Sequence, residues 1–103
     1  MIVYFDKDEL LVLYETPLEK LRGKQKYPFE VIKQYKKKIQ LLQAIIKLED
    51  LKAFRGLNFE YLKGDRKGQC SLRLNDQYRL IIKPVNERQI EVLVVKELSK
   101  HYE

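Results

Sequence analysis

The apolar residues in the first half of the chain follow the period of an α-helix. One long helix is predicted from Pro28, which suits a first helical turn, and its apolar positions recur at steps of three and four. These positions form one stripe that we expect to be buried: Ile32, Tyr35, Ile39, Leu42 and Ile46. A shorter helix is predicted around residues 10–14, after a β-prone run at 2–5. Asp6 and Glu9 have the spacing of a capping box at its start.

The second half changes to the short apolar or alternating runs that are typical of strands. Four strands are predicted, at residues 59–62, 69–74, 78–83 and 90–95. The last run is β-branched and almost wholly apolar, so we expect it inside the sheet. Pro84 and the polar residues after it are expected to end the strand before it. The order β-α-α-β-β-β-β predicts an α+β fold, with two amino-terminal helices packed on one face of a twisted antiparallel sheet.

Size and composition predict a single cytoplasmic domain over residues 1–103. A hydrophobic content of 45% is typical of a folded globule, yet no apolar run approaches the ~20 residues of a membrane helix. The first residues lack the features of a secretory signal. Cys70 is the one cysteine and His101 the one histidine, so neither a disulfide nor a zinc site is expected within the chain. We expect no cofactor.

The charge balance indicates an anionic partner. Lys and Arg outnumber Asp and Glu by 21 to 15, giving a net charge of +6 and a pI near 9.4. Basic side chains that bind phosphates release condensed counterions, so nucleic acid is a natural partner for such a domain. A solvated basic surface is the alternative. The same two interpretations apply to the lysine run at 36–38 on the long helix.

Cationic and proton-transferring side chains are the main chemical resource of the sequence. It contains no HExxH, CxxC or phosphate-loop motif. The candidate site residues lie in or after the glycine turn that follows the first predicted strand of the second half: Lys63, Arg66, Lys67, Arg73, Arg79, His101 and Tyr102. RNA cleavage needs this kind of set, because a base must activate the 2′-hydroxyl, cations must hold the pentavalent phosphate, and an acid must protonate the leaving oxygen.

The register of one hairpin decides whether the two strand arginines converge. A three-residue loop at 75–77 places Arg73 directly across from Arg79 on one face. A two-residue loop at 75–76 sends the two side chains to opposite faces. The three-residue loop is favoured, because it also places Leu72 and Leu74 on one face with Tyr78.

Residues 62–80 carry a resemblance to a known family. The segments Leu62-Lys63-Gly64-Asp65-Arg66-Lys67-Gly68 and Ser71-Leu72-Arg73-Leu74-Asn75-Asp76-Gln77-Tyr78-Arg79-Leu80 resemble the signature of HigB-type toxins of the RelE/ParE superfamily. That signature is a strand ending L-x-G, followed by D-R-x-G-x-x-S-I-R-x-N-x-x-(W/Y)-R. The resemblance implies a RelE/ParE-like fold and ribosome-dependent cleavage of mRNA, with contacts to ribosomal RNA. It also implies a helix-turn-helix, HigA-like antitoxin encoded beside the toxin.

The resemblance also implies roles for individual residues. Lys63 matches the family's active-site lysine, Arg79 matches its active-site arginine, and Arg73 stands at a polar or basic strand position. Arg66 and Lys67 are candidate RNA contacts. Three departures concern proton transfer: Lys100-His101-Tyr102 replaces the usual D-Y-H, with His and Tyr in reversed order, and Glu60 stands where some members have a His.

Two other functions remain open at this point. A ParE-like poison of DNA gyrase uses the same fold without this catalytic set, and the presence of Lys63, Arg79 and the terminal His101-Tyr102 argues against it. A degenerate module that only binds its antitoxin or RNA is compatible with the altered carboxyl terminus. The leading hypothesis is an mRNA interferase, an endoribonuclease that inhibits translation and needs no metal.

Overall fold

The elements of the fold follow the predicted order. A computed structural model of the protein describes residues 1–100. Its helices and strands are β1 (Ile2–Phe5), α1 (Asp8–Glu15), α2 (Phe29–Ala44), β2 (Glu60–Tyr61), β3 (Cys70–Arg73), β4 (Tyr78–Glu87) and β5 (Ile90–Lys100). Short 3-10 helices lie at Leu18–Lys20, Leu48–Ala53, Arg55–Leu57 and Gly64–Arg66. The predicted α+β class and the order β-α-α-β-β-β-β are confirmed. No helix within residues 1–100 is long and apolar enough to cross a bilayer.

The sheet is mixed rather than purely antiparallel. Its five strands lie in the order β1-β5-β4-β3-β2, and β1 runs parallel to β5 while the other neighbours are antiparallel. The prediction of a purely antiparallel sheet is therefore wrong for the pair β1–β5. Short connections force β2 to β5 into antiparallel pairs, whereas the two helices after β1 leave its direction free. Val92–Val95 pairs with β1 on one side and β4 on the other, so the prediction that the run 90–95 lies inside the sheet is confirmed for these four residues. Within residues 1–100, Ile90 and Glu91 pair with β4 alone and are exposed, because they lie next to the hairpin turn.

The helices cover one face of the sheet and form the core with it. The buried residues of α2 are Val31, Ile32, Tyr35, Ile39 and Leu42. The cluster that they help to form also includes Leu72, Leu80, Ile82, Leu93 and Val95 from the strands. The Tyr35 hydroxyl donates to the carbonyl of Leu10 at 2.7 Å, and burial raises the pKa of this hydroxyl. The predicted stripe is confirmed except at Ile46, which is 90% exposed because α2 ends at Ala44.

The two ends of α1 are held differently from the prediction. Asp6 does not cap the helix. Its N–H continues the β1 pairing by donating to Val95 O at 2.9 Å, and its carboxylate lies 3.3 Å from Lys96 Nζ. At the other end, Lys36 Nζ donates to the carbonyls of Leu13 (2.9 Å), Tyr14 (2.7 Å) and Thr16. The first lysine of the 36–38 run therefore binds the carboxyl end of α1, whose carbonyls lack helical partners.

The β4–β5 hairpin is longer than predicted. Pro84 does not end β4, because the pairing of β3 with β4 stops at Ile82 and leaves an edge there, where proline is tolerated. The strands turn at Arg88 and Gln89, both with positive φ, so the predicted loop shrinks to two residues. β5 then continues past the apolar run to Lys100.

Candidate active site

The sheet face away from the helices gathers polar residues from four strands. Registered neighbours point to the same face of a sheet, so the pairing defines two adjacent rows there. One row is Glu60, Ser71, Ile81 and Glu97, and the next is Arg73, Arg79 and Ser99. The residues that alternate with them, Leu72, Leu80 and Leu98, are buried in the core under the helices. The open face is therefore where the sheet can present chemistry.

A cavity of about 380 Å³ lies on this open face. Its lining residues are Glu60, Leu62, Arg66, Ser71, Arg79, Ile81, Ser99 and Lys100. Three of these side chains are cations and one is a carboxylate. We call it the Arg79 cavity. It combines cations for an anionic ligand with one group that can accept a proton.

Arg79 is held in place by two hydrogen bonds. Its Nε donates to Ser71 Oγ at 2.8 Å, and its Nη2 donates to the carbonyl of Asn58. Ser71 is only 1% exposed and is the one buried polar residue in the described part of the chain. These contacts use two of the five N–H donors of the guanidinium, and within residues 1–100 three remain for a ligand. Arg79 is thus a preorganised cation, and its catalytic role stays a prediction.

Glu60 is the one carboxylate that lines the Arg79 cavity among the described residues. It lies opposite Ser71 in the β2–β3 register, and it is exposed. The motif placed Glu60 only as a departure from the family, so it was absent from the predicted set. The sequence predicts a strand at 59–62 but not its partner. The pairing of the two-residue β2 with β3, which places Glu60 in the cavity, has little local signal.

The glycine turn contributes Arg66 to the cavity. Arg66 Nη2 forms an ion pair with Glu97 on β5, and its Nη1 donates to Gln69 Oε1 at 3.3 Å. Gly64 and Gly68 have φ of 64° and 93°, which supports the glycine-dependent turn that was predicted. Arg66 therefore lies at the rim, fixed to the strand that carries Glu97.

Lys63 and Lys67 lie outside the lining of the cavity. Glu60 and Leu62 contribute to the lining, whereas the next residue, Lys63, does not. Both lysines are exposed, one at each end of the 3-10 helix Gly64–Arg66. The roles predicted for the two lysines stay predictions. Both side chains lie on the surface beside the turn.

Arg73 is registered with Arg79 but does not join it. The three-residue loop is confirmed, because Leu74 N–H donates to Tyr78 O at 2.9 Å and Arg73 pairs with Arg79. The Arg73 guanidinium nevertheless binds Asp76 and lines a second cavity of about 460 Å³, together with Lys38 from α2. Burial, with the charges of Lys37 and Arg73, lowers the pKa of the Lys38 ammonium. The structure separates the two arginines, and a catalytic role for Arg73 stays a prediction.

Three residues singled out in the sequence remain: His101, Tyr102 and Cys70. His101 and Tyr102 lie outside the described residues, although Lys100 just before them lines the Arg79 cavity. Cys70 is buried, as predicted for a small core residue. Burial raises the pKa of its thiol to about 11, so the thiol stays protonated at neutral pH.

Comparisons with known proteins identify the family of the chain. A family model for HigB-like toxins, described as RelE-like toxins of the type II toxin–antitoxin system HigB, matches residues 5–96. Toxin HigB-1 of Vibrio cholerae serotype O1 is 44% identical over 50 residues, which are 48% of this chain and 53% of that protein. The match thus spans about half the length of this curated relative.

A solved structure shares the fold. The YoeB/ParE toxin from Agrobacterium tumefaciens matches with a TM-score of 0.59, covering 99% of this chain and 100% of that chain. The sequence identity is 19%, so this likeness concerns the fold alone.

Proposed function

The chain belongs to the HigB-like family of RelE-like toxins of type II toxin–antitoxin systems, and from that membership we propose that it cleaves mRNA on the ribosome. The observation that carries the proposal is the Arg79 cavity. It places a tethered guanidinium and a carboxylate on an open sheet face. An extended RNA strand reaches such a face more readily than an enclosed pocket.

Arg79 acts on the phosphate in this proposal. The 2′-oxygen attacks the adjacent phosphorus, and negative charge builds up on the non-bridging oxygens in the pentavalent state. The bond to the 5′-oxygen then breaks, and that oxygen leaves with the electron pair. A guanidinium stays charged and binds two oxygens at once, so it stabilises the pentavalent state more than the ground state. Ser71 and Asn58 hold Arg79 before the substrate arrives, which reduces reorganisation in the reaction.

Glu60 takes the proton of the 2′-hydroxyl in this proposal. It supplies the carboxylate of the cavity, on the strand opposite Ser71. The products are a 2′,3′-cyclic phosphate and a 5′-hydroxyl, whose oxygen must receive a proton. We assign that step to His101 or Tyr102, which directly follow the cavity residue Lys100 in the sequence.

The other cations bind RNA around the rim in this proposal. Arg66 lines the cavity, and Lys63 and Lys67 flank the same turn. A net charge of +6 supports contacts with mRNA and ribosomal RNA. The cytoplasm is the proposed site of action, and a small helix-turn-helix antitoxin the proposed partner.

Mapping mRNA 5′ ends tests the proposed function. The chain is induced alone in cells, with Arg79→Ala as the inactive control. We expect new 5′ ends within translated codons for the wild type and none for the variant. DNA double-strand breaks without such ends would indicate gyrase poisoning, and normal growth with ample folded protein would indicate an inert binder. Either result would refute ribosome-dependent cleavage.

A further inference from the structure

A second basic cavity opens beside the exposed end of β5. Only Val92–Val95 of β5 pairs with β1, so within the described sheet the last residues of β5 have a partner strand on one side only. The amino end of α1 and the segment before α2 border this edge, and a cavity of about 310 Å³ lies between them. We call it the lysine cavity, after Lys7, Lys26, Lys96 and Lys100.

The charge of the lysine cavity favours an anionic ligand. Its four lysines outnumber the two carboxylates of its lining, Glu9 and Glu97. Lys26 lies 4.0 Å from the Glu9 carboxylate, and Lys96 lies 3.3 Å from the carboxylate of Asp6 beside the cavity. Glu97 is already paired with Arg66 of the neighbouring cavity. The cavity around Arg73 differs, because its two cations are balanced by two carboxylates, Glu30 and Asp76. Among these cavities beyond the Arg79 cavity, the lysine cavity is therefore the better candidate for binding phosphate.

Aromatic rings accompany the lysines. Tyr27 and Tyr78 both line the cavity, and their rings pack edge to face with centroids 5.9 Å apart. Lys26 Nζ lies 5.6 Å from the centroid of the Tyr27 ring. Lysines that track a backbone, combined with aromatic surfaces for bases or sugars, are characteristic of sites for single-stranded nucleic acid. An isolated inorganic anion would need no such rings.

The two basic cavities are adjacent. Lys100 lines both of them, and the Arg66–Glu97 ion pair joins a lining residue of one to a lining residue of the other. A polymer that leaves the Arg79 cavity along β5 therefore meets the lysine cavity next, and the carboxylate between the two is neutralised by Arg66.

We propose that the lysine cavity binds the sugar-phosphate backbone of the single-stranded RNA beside the cleaved phosphodiester, as a second nucleotide subsite. This inference rests on the proposed function, since it assumes that RNA occupies the Arg79 cavity. It makes affinity depend on RNA length. A dinucleotide fills the Arg79 cavity alone, whereas a longer strand reaches both.

Binding of short RNAs to the intact protein tests the subsite. The probes are dye-labelled 2′-O-methyl RNAs of two and of six nucleotides, which lack the attacking hydroxyl and cannot be cleaved. The test variant is Lys7→Ala with Lys26→Ala, because both side chains are exposed. Lys7 stands at the N-cap position of α1, but its side chain makes no capping hydrogen bond, so its removal leaves the backbone contacts of the cap in place. The control is Lys33→Ala with Lys37→Ala on the exposed side of α2, which removes the same charge.

We expect the double variant to lose affinity for the hexanucleotide alone. With a salt slope of about 0.7 per phosphate contact, each lysine contributes roughly 5-fold at about 0.1 M salt, so the double variant should lose about 25-fold on the hexanucleotide. The salt slope should fall by about 1.4, while dinucleotide binding and the control should match the wild type.

Three outcomes would overturn the subsite. The first is that the test variant binds the hexanucleotide as tightly as the control variant does. The second is that its affinity falls equally for the dinucleotide and the hexanucleotide. The third is that a hexaglutamate peptide binds the wild type as tightly as the hexanucleotide does. The last result would make the cavity a surface for acidic protein. Failure of the proposed function is recognised separately, because the wild type would then produce no new mRNA 5′ ends within translated codons, whatever its affinity for the short RNAs.

Discussion

Removing the Ser71 hydroxyl tests whether catalysis depends on how Arg79 is held. Ser71→Ala deletes the 2.8 Å bond to Arg79 Nε and leaves the contact between Nη2 and Asn58 O. Hydrogen bonds to charged groups contribute about 1.5–3 kcal/mol. Since each 1.36 kcal/mol is tenfold in rate, complete loss of orientation would slow cleavage by roughly 10–150-fold. The surviving Asn58 contact places the expectation near tenfold.

The assay is single-turnover cleavage of mRNA on purified, programmed ribosomes. The loss should appear in the maximal rate rather than in the protein concentration that gives half of it, because Arg79 keeps its charge. Arg79→Ala should lower the maximal cleavage rate further, by about 10²–10³-fold, because it removes the cation itself. Lys83→Ala is the matched control, because it removes an exposed cation from the same strand and the same face.

Stability has to be measured beside activity. Arg79→Ala leaves the buried Ser71 hydroxyl without its partner, at a cost of about 1–3 kcal/mol. For a domain of this size 1 kcal/mol lowers Tm by about 4–8 °C, so assays belong well below the variant's Tm. If folded Ser71→Ala cleaves at the wild-type rate, Ser71 does not position Arg79 and the argument from preorganisation is wrong.

Four further predictions address other groups. Glu60→Gln should slow cleavage about 10²–10⁴-fold while 2′-O-methyl RNA binds as before, and an unchanged single-turnover rate would rule Glu60 out as the base. Lys36→Met should lower Tm by roughly 10 °C, through loss of about 1.5–3 kcal/mol of bonding to α1 carbonyls, whereas Lys37→Met should change Tm little in the same thermal melt. Deleting residues 101–103 should reduce cleavage more than co-sedimentation with ribosomes, and equal losses would argue against proton transfer by the tail. Co-expression with the adjacent helix-turn-helix frame should restore growth, and harmless accumulation of the chain alone would count against a toxin.

The hairpin around Arg79 could be predicted because its determinants are local. Asn75 Oδ1 accepts hydrogen bonds from the N–H groups of Gln77 (2.9 Å) and Tyr78 (2.7 Å), a side-chain turn that fixes the three-residue loop. Loop length then sets the register, and the register sets the face on which Arg79 lies. The family motif gave no such local rule for Lys63, which lies beyond the end of β2 and outside the lining of the Arg79 cavity.

Other features depend on contacts between distant segments. Glu60 enters the cavity through the pairing of β2 with β3, and Lys100 through the extension of β5 beyond its apolar run. Residues 96–100 are mostly charged or polar and gave no signal for a strand. A bulge also adds one residue to β5 opposite the step from Ile81 to Ile82. Arg73 diverges from Arg79 because Asp76 lies within reach of its guanidinium, a choice that register alone does not determine.

The alternation along β3 explains how so small a protein separates stability from chemistry. Cys70 and Leu72 are buried in the core cluster, while Ser71 between them is buried on the opposite face against Arg79. The helices cover one side and leave the other to polar groups from four strands, so substitutions at neighbouring positions should have different effects. A smaller residue at Leu72 creates a cavity in the core and should cost about 2–5 kcal/mol of stability, whereas Ser71→Ala mainly misorients one cation. The proposed cleavage should therefore be alterable residue by residue without loss of the fold, provided that the change is made on the open face.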